Sequence, residues 1–138
     1  MENNINSITV LGSANIDYFL KVEKPPVVGE TISASDLKIA IGGKGSNTAI
    51  ACGKLGFPTN FIGQVGSDDN GKKVKSILND CNVNSDNLNI LENNVTGQAY
   101  IMSYPDGNNS IIIVGGANTN WDMSNLSFID NSLKNCKF

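Results

Sequence analysis

Gly42-Gly43-Lys44-Gly45 sets three glycines around one lysine, between an apolar segment, Leu37 to Ile41, and a helix-forming stretch, Thr48 to Leu55. Nothing else in the chain limits its fold so tightly. Glycines strip side chains from a turn and let main chain approach its neighbours closely. N–H groups at the helix start that follows lack partners within the helix and carry the positive end of its dipole. A polar ligand therefore has access to the main chain, with Lys44 and Asn47 adding side-chain contacts. Gly56 closes the helix, and Pro58 just beyond prevents its continuation.

The chain has 138 residues, enough for one domain or a piece of a larger one. A net charge of −3 argues against a nucleic-acid partner, which needs clustered Lys and Arg. The only dense basic group, Lys72, Lys73 and Lys75, reads as a solvated helix face. Met1 to Asn4 lacks the basic region and apolar run of a leader, and no stretch has the length of a membrane span. Cys52, Cys81 and Cys136 are odd in number and widely spaced, unlike a disulfide or zinc framework. Cys52 and Cys81 are expected to be reduced core residues, and the chain to be cytoplasmic. With no histidine in the sequence, a Ser-His or Cys-His nucleophile and His metal ligation are excluded within it.

Ile8 to Gly12 reads as a buried parallel strand, and Asp17 to Val22 as a less regular one. Pro25-Pro26 and Gly29 break the chain before Leu37 to Ile41, a half-exposed strand. Asn60 to Gly66 is a second core strand. Asp68 or Asp69 caps a helix carrying Val74, Ile77, Leu78 and Cys81 on one face. Leu88 to Leu91 adds a further strand. This alternation implies a layered α/β core around a parallel sheet.

After Val95 the texture changes. Thr96 to Tyr104 and Ser110 to Val114 flank Pro105-Asp106-Gly107-Asn108, a hairpin signal. With residues 17–22 and 31–41 these strands are expected to form a small second sheet. Trp121 to Phe138 returns to helical spacing through Leu126, Ile129 and Leu133. A parallel sheet of about three strands leaves an unpaired edge, so the chain is expected to be a truncated piece of a larger enzyme.

Gly12-Ser13-Ala14-Asn15-Ile16-Asp17 follows the first strand, where open α/β sheets bind ligands. Asp accepts hydrogen bonds and Asn both donates and accepts, which suits sugar hydroxyls; the bland alternative is that the pair shapes a turn. The glycine cradle is neither a dinucleotide fingerprint, since Thr48 takes the place of the third glycine, nor a Walker A loop. Gly66-Ser67-Asp68-Asp69-Asn70-Gly71-Lys72-Lys73 approaches a Walker A loop but fails. Lys73 replaces the magnesium-binding hydroxyl, and Asp68 and Asp69 repel phosphate. It reads as a strand-to-helix turn with acidic caps. A general base must be Asp17, another lone carboxylate, or a group outside this sequence.

Taken in order, Gly12-Ser13-x-Asn15-x-Asp17, Pro26-x-x-Gly29-Glu30-Thr31, Gly42-Gly43-Lys44-Gly45-x-Asn47 and Gly66-x-Asp68-x-x-Gly71 resemble the ribokinase group of PfkB-type carbohydrate kinases. Thr96-Gly97-x-Ala99 and Gly115-x-Ala117-Asn118 match as well, so the resemblance runs from about Ile8 to Asn120. It implies a ribokinase-like α/β fold with a parallel sheet flanked by helices and a small β-sheet lid. Residues 1–138 would be its N-terminal sugar-binding portion, with lid strands near 17–22, 31–41, 96–104 and 110–114. The implied reaction is ATP-dependent phosphorylation of D-ribose to ribose 5-phosphate, with Mg2+ and a monovalent cation such as K+. Asn15, Asp17, Gly43, Lys44 and Asn47 would hold the sugar, with Ala99 and Ile113 against its apolar side. A homodimer formed through the lids is also implied.

The family's Gly-Ala-Gly-Asp segment, bearing the catalytic base, does not occur up to Phe138. The resemblance thus places no catalytic residue in this chain, and the chain alone is expected not to turn over. Lys44 in its Gly-Gly-Lys-Gly setting favours ribokinase over fructokinase-like or adenosine kinase-like members. Ser46 and Thr48 depart from the commonest ribokinase residues. Another sugar or nucleoside kinase of the family, or a non-catalytic sugar-binding module, stand as alternatives.

Overall fold

The computed structural model describes residues 7–124 together with 129, 130 and 133. Two sheets make up its framework. The lower is parallel: β1 (Ile8–Leu11) and β5 (Val83–Asn84) flank β4 (Thr59–Gly66), and β6 (Leu88–Leu91) pairs with the second half of β4. The upper sheet has the order β3-β2-β7-β8, from β2 (Asn15–Lys21), β3 (Asp36–Gly42), β7 (Gly97–Ser103) and β8 (Asn109–Val114). Its central pair, β2 and β7, is parallel, and both outer pairings are antiparallel.

Helix α1 (Lys44–Lys54) and helix α2 (Asp69–Asp80) pack on the lower sheet. Phe61 and Val65, four residues apart on β4, point to the side where Ala49 of α1 and Val74 and Leu78 of α2 close the core. All five are fully buried. On the opposite face of β4, Gln64 is also buried, and its amide is satisfied: Nε2 donates to Ala117 O at 3.1 Å and Oε1 accepts from Asn89 Nδ2 at 2.8 Å. Ile16 and Tyr18 join this core from the underside of the upper sheet. Tyr18 stacks on Tyr100 with ring centroids 5.1 Å apart, and its hydroxyl meets Asn70 at the start of α2.

α2 behaves as its sequence requires. Asp68 is the N-cap, accepting from Gly71 N–H at 2.9 Å, and Lys72, Lys73 and Lys75 face solvent. Other elements differ from expectation. α1 begins at Lys44, four residues before Thr48, because tertiary contacts hold its first turn. Residues 31–35 form no strand, and β3 starts at Asp36. Cys52 and Cys81 are free thiols but only half-buried, not core residues. Val83–Asn84, inside an Asn-rich stretch from Asn82 to Asn94 and without a strand signal of its own, pairs as β5. That stretch does use asparagine's tolerance of left-handed backbone, at Asn82 (φ 60°) and Asn93 (φ 58°). Gly116–Thr119 is a short 3-10 turn. Residues 121–124 are not helical, while 129, 130 and 133 are; the rest of the helix expected from Trp121 to Phe138 lies outside the described residues.

Candidate functional site

The chain passes between the two sheets at Ala14-Asn15, Gly42-Gly43, Thr96-Gly97 and Val114-Gly115, and a cleft of about 530 Å³ opens among these crossings. Asn15, Asp17, Gly43, Lys44, Asn47, Ala99 and Ile113 all line it. Every residue that the sequence nominates is therefore at one place, although together they span about 100 positions.

Strand register explains the upper wall. Asp17 pairs with Ala40 on one side and Ala99 on the other, and Ala99 pairs with Ile113. Residues aligned across a sheet share a face, so Ala40, Asp17, Ala99 and Ile113 form one row, of which Asp17, Ala99 and Ile113 look into the cleft. Ile101 and Ile111, two positions along, extend that apolar row. Asn15 precedes Asp17 by two residues on the same face.

The lower wall is the start of α1. Gly43 is its N-cap with φ 96° and ψ 134°, a backbone that side chains rarely adopt. A Cβ there would also lie 2.6 Å from Ser13 O. The turn is drawn onto the loop after β1 by Ser46 N–H, which donates to Ser13 O at 3.0 Å, and by contact of Gly45 with Gly12. This brings Lys44 and Asn47 onto the exposed first helical turn beside the cleft. Lys44 forms no ion pair among the described residues.

Gly42 has a different task. A Cβ at this position would sit 2.0 to 2.2 Å from all three atoms of the Asp17 carboxylate. The carboxylate thus occupies the space that a side chain would fill. Its Oδ1 is buried and has no hydrogen-bond partner, and burial pushes the Asp17 pKa above its ordinary 3.8. An acceptor held dry without a donor is costly for the fold and suited to a ligand that brings one.

Asn118 is the residue that the site reading missed. It lines the cleft and is tied to Ala14 and Asn15 by three hydrogen bonds. The available signal was its place in the Gly115-x-Ala117-Asn118 motif. Ser13, Gly115 and Thr119 also line the cleft. Asp68 ties the body to the upper sheet, accepting from Thr96 N–H at 2.9 Å and from Thr96 Oγ1 at 2.6 Å just before β7. Burial works to raise its pKa, but the hydrogen bonds from Thr96 and Gly71 outweigh it and hold the carboxyl below 3.8. The Gly66-to-Lys73 turn therefore spends a helix-start donor on its own carboxylate, as acidic capping requires. Among the described residues no group of three or more Cys, Asp or Glu could hold a metal, and no helix is long and apolar enough to cross a membrane.

The profile of the pfkB family of carbohydrate kinases matches residues 5–138. A ribokinase of Arabidopsis thaliana is 46% identical over 113 residues, which cover 80% of this chain and 30% of that protein. A ribokinase of Dictyostelium discoideum is 39% identical over 127 residues, 92% of this chain and 39% of that one. The structure of Arabidopsis thaliana ribokinase complexed with ribose and ATP superposes with a TM-score of 0.79 at 41% identity, covering 91% of this chain and 43% of that chain. The chain thus spans between three and four tenths of the length of these two ribokinases.

Proposed function

The chain belongs to the pfkB family of carbohydrate kinases, and on that premise we propose that it is the sugar-binding portion of a ribokinase, whose complete form uses ATP to phosphorylate D-ribose at its 5-hydroxyl. One observation carries this reading: Asp17 Oδ1, buried and without a partner, lines a cleft shared with Asn15, Lys44 and Asn47. A polyhydroxylated ligand supplies the missing donor, and Asn15, Lys44 and Asn47 bind its remaining hydroxyls. Ala99 and Ile113 form an apolar wall that excludes water, strengthening these polar contacts and limiting transfer of phosphate to water.

Residues 1–138 bind and orient the sugar. The turn from Gly66 to Lys73 is unsuited to phosphate, since Asp68 takes the Gly71 N–H at the helix start and its charge, with that of Asp69, repels an anion. No transfer step is assigned to them, and ATP, Mg2+ and a monovalent cation such as K+ belong to the complete enzyme. Positioning and charge stabilisation dominate phosphoryl transfer, so the isolated chain binds without turning over. The upper sheet acts as a lid, and the complete enzyme is a homodimer through it. Support for the latter comes from Ile112 and Val114, exposed on edge strand β8 on the face away from the cleft. Free thiols at Cys52 and Cys81 favour the cytoplasm.

Calorimetry of the chain with a panel of pentoses, hexoses and nucleosides, then with ATP, tests the proposal. D-ribose binds in preference to the others, and ATP gives no heat. Tighter binding of a hexose or nucleoside would displace the ribose assignment, and absence of any sugar binding would remove it.

A further inference from the structure

Asn118 reaches back more than a hundred residues to the start of β2, and its bonds form a closed inventory. Ala14 N–H donates to Asn118 Oδ1 at 3.0 Å. A backbone N–H can only donate, so this end of the Asn118 amide must be the oxygen. The other end is then the NH2 group, which gives one hydrogen to Ala14 O at 3.1 Å and the second to Asn15 Oδ1 at 2.8 Å. Asn15 must in turn show Asn118 its oxygen, because two NH2 groups would repel. The Asn15 NH2 is left for the cleft, where it has no protein partner among the described residues. The direction of one peptide bond therefore fixes which end of Asn15 meets a ligand.

Gly97 guards the arrangement. It pairs with Asn15 across β2 and β7, and a Cβ there would lie 2.1 Å from Asn118 Nδ2 and 2.4 Å from Asn15 Oδ1. The two amides meet in space that only glycine leaves open.

We propose that Asn118 is a positioning residue for sugar recognition, locking Asn15 as an obligate hydrogen-bond donor beside the obligate acceptor Asp17. This rests on the sugar-binding reading above. Asn15 and Asp17 stand two residues apart on one strand face, so the wall offers donor then acceptor in fixed order. The sugar must match it, accepting at one oxygen and donating at another. A free Asn15 amide would turn over and satisfy either polarity, and Asn118 removes that freedom. Orientation is thereby settled before the ligand arrives, which lowers the ordering cost of binding.

Two measurements on the 138-residue chain test the lock. The first is hydrogen exchange of Asn side-chain amides by NMR without ligand. Asn118 NH2 protons exchange slowly and those of Asn15 fast; in Asn118→Asp, whose carboxylate still accepts from Ala14, Asn15 turns round and its protons become slow. Protected Asn15 protons in the wild-type chain would overturn the proposal, and this arm needs no variant to fold.

The second is titration with D-ribose and with its monodeoxy and monofluoro analogues at each hydroxyl. Fluorine accepts but cannot donate. At one position the fluoro sugar binds about threefold tighter than the deoxy sugar, and Asn118→Asp erases that preference while weakening ribose about tenfold. A merely structural role would weaken all three sugars alike, and that outcome refutes the lock. Ribose binding with no fluoro preference at any position would also overturn it while sparing the ribokinase reading. Failure to bind any sugar would fell that reading instead, leaving the exchange measurement to decide the lock.

Discussion

Gly42→Ala isolates the relation between the glycine turn and the Asp17 carboxylate. Gly42 lies outside the left-handed region, so alanine brings no backbone strain there. Its Cβ would come within 2.0 Å of Asp17 Oδ2, about 1.4 Å short of ordinary van der Waals contact. The backbone of β2 is held on both sides, by β3 and β7, so the carboxylate must swing away. Overpacking of this kind costs about 1–3 kcal/mol of stability. A displaced carboxylate also loses the charged hydrogen bond proposed between Asp17 and the sugar, worth about 1.5–3 kcal/mol or roughly 10- to 150-fold in affinity. The assay is a double-mutant cycle, with urea unfolding and ribose calorimetry on the wild-type chain, Gly42→Ala, Asp17→Ala and both together. In the Asp17→Ala background the clash is gone, and Gly42→Ala becomes nearly neutral by both measures. The reasoning is refuted if Gly42→Ala binds ribose within twofold of wild type, or if its cost is equal in the two backgrounds.

Three further outcomes follow from the same geometry. Burial raises the Asp17 pKa above 3.8, so the folded chain holds that proton more tightly than the unfolded one, and stability contributed by this group falls as pH rises through the raised value. Asp17→Asn therefore melts higher than wild type at pH 7, by a margin that closes toward pH 4, while binding ribose at least tenfold more weakly; a lower melting temperature at pH 7 contradicts this. Asp68→Ala strands Gly71 N–H and both Thr96 donors and costs about 2–3 kcal/mol. Because the Asp68 pKa is depressed, its contribution is present above 3.8 and lost as pH falls through the folded value, so the gap from wild type in urea melts narrows in acid; a gap independent of pH would disprove the assignment. Ile112→Lys on the exposed edge strand shifts the complete enzyme toward monomer in light scattering, and an unchanged dimer mass would rule out a β8 interface.

What the sequence disclosed and what it concealed divide along a physical line. Core strand β4 was legible because Phe61, Ile62 and Val65 are apolar within a short run bounded by glycine, with Gln64 its one polar member, and α2 because Asp68, Val74 and Leu78 state its cap and period within a few residues. The cleft lining was legible as a composite: no fragment was decisive, but Asn15, Asp17, Gly43, Lys44 and Asn47 share a motif order that a random chain would not keep. The start of α1 was hidden because Gly43 brings no capping side chain, and glycine at 45 argues locally against a helix. Its first turn is held instead by Ser13 O and Gly12, about thirty residues away. Two-residue β5 exists only because β4 lies beside it. Asn118 stands in a visible motif, but its contact with Ala14 was hidden for the same reason, since nothing near it in the chain hints at that partner.

The parallel pairing of β2 with β7 joins Asn15 to Gly97, about 80 residues apart, and closing so large a loop is entropically slow. A chain still emerging from the ribosome can assemble β1, α1, β4 and α2 before β7 has been synthesised, but at that stage it has only half a wall. A sugar bound as proposed consequently cannot assist the early steps; it would bear on the last equilibrium alone, holding native molecules against reopening. On the proposed function, nutrient supply and survival of the folded form are linked through one strand pairing.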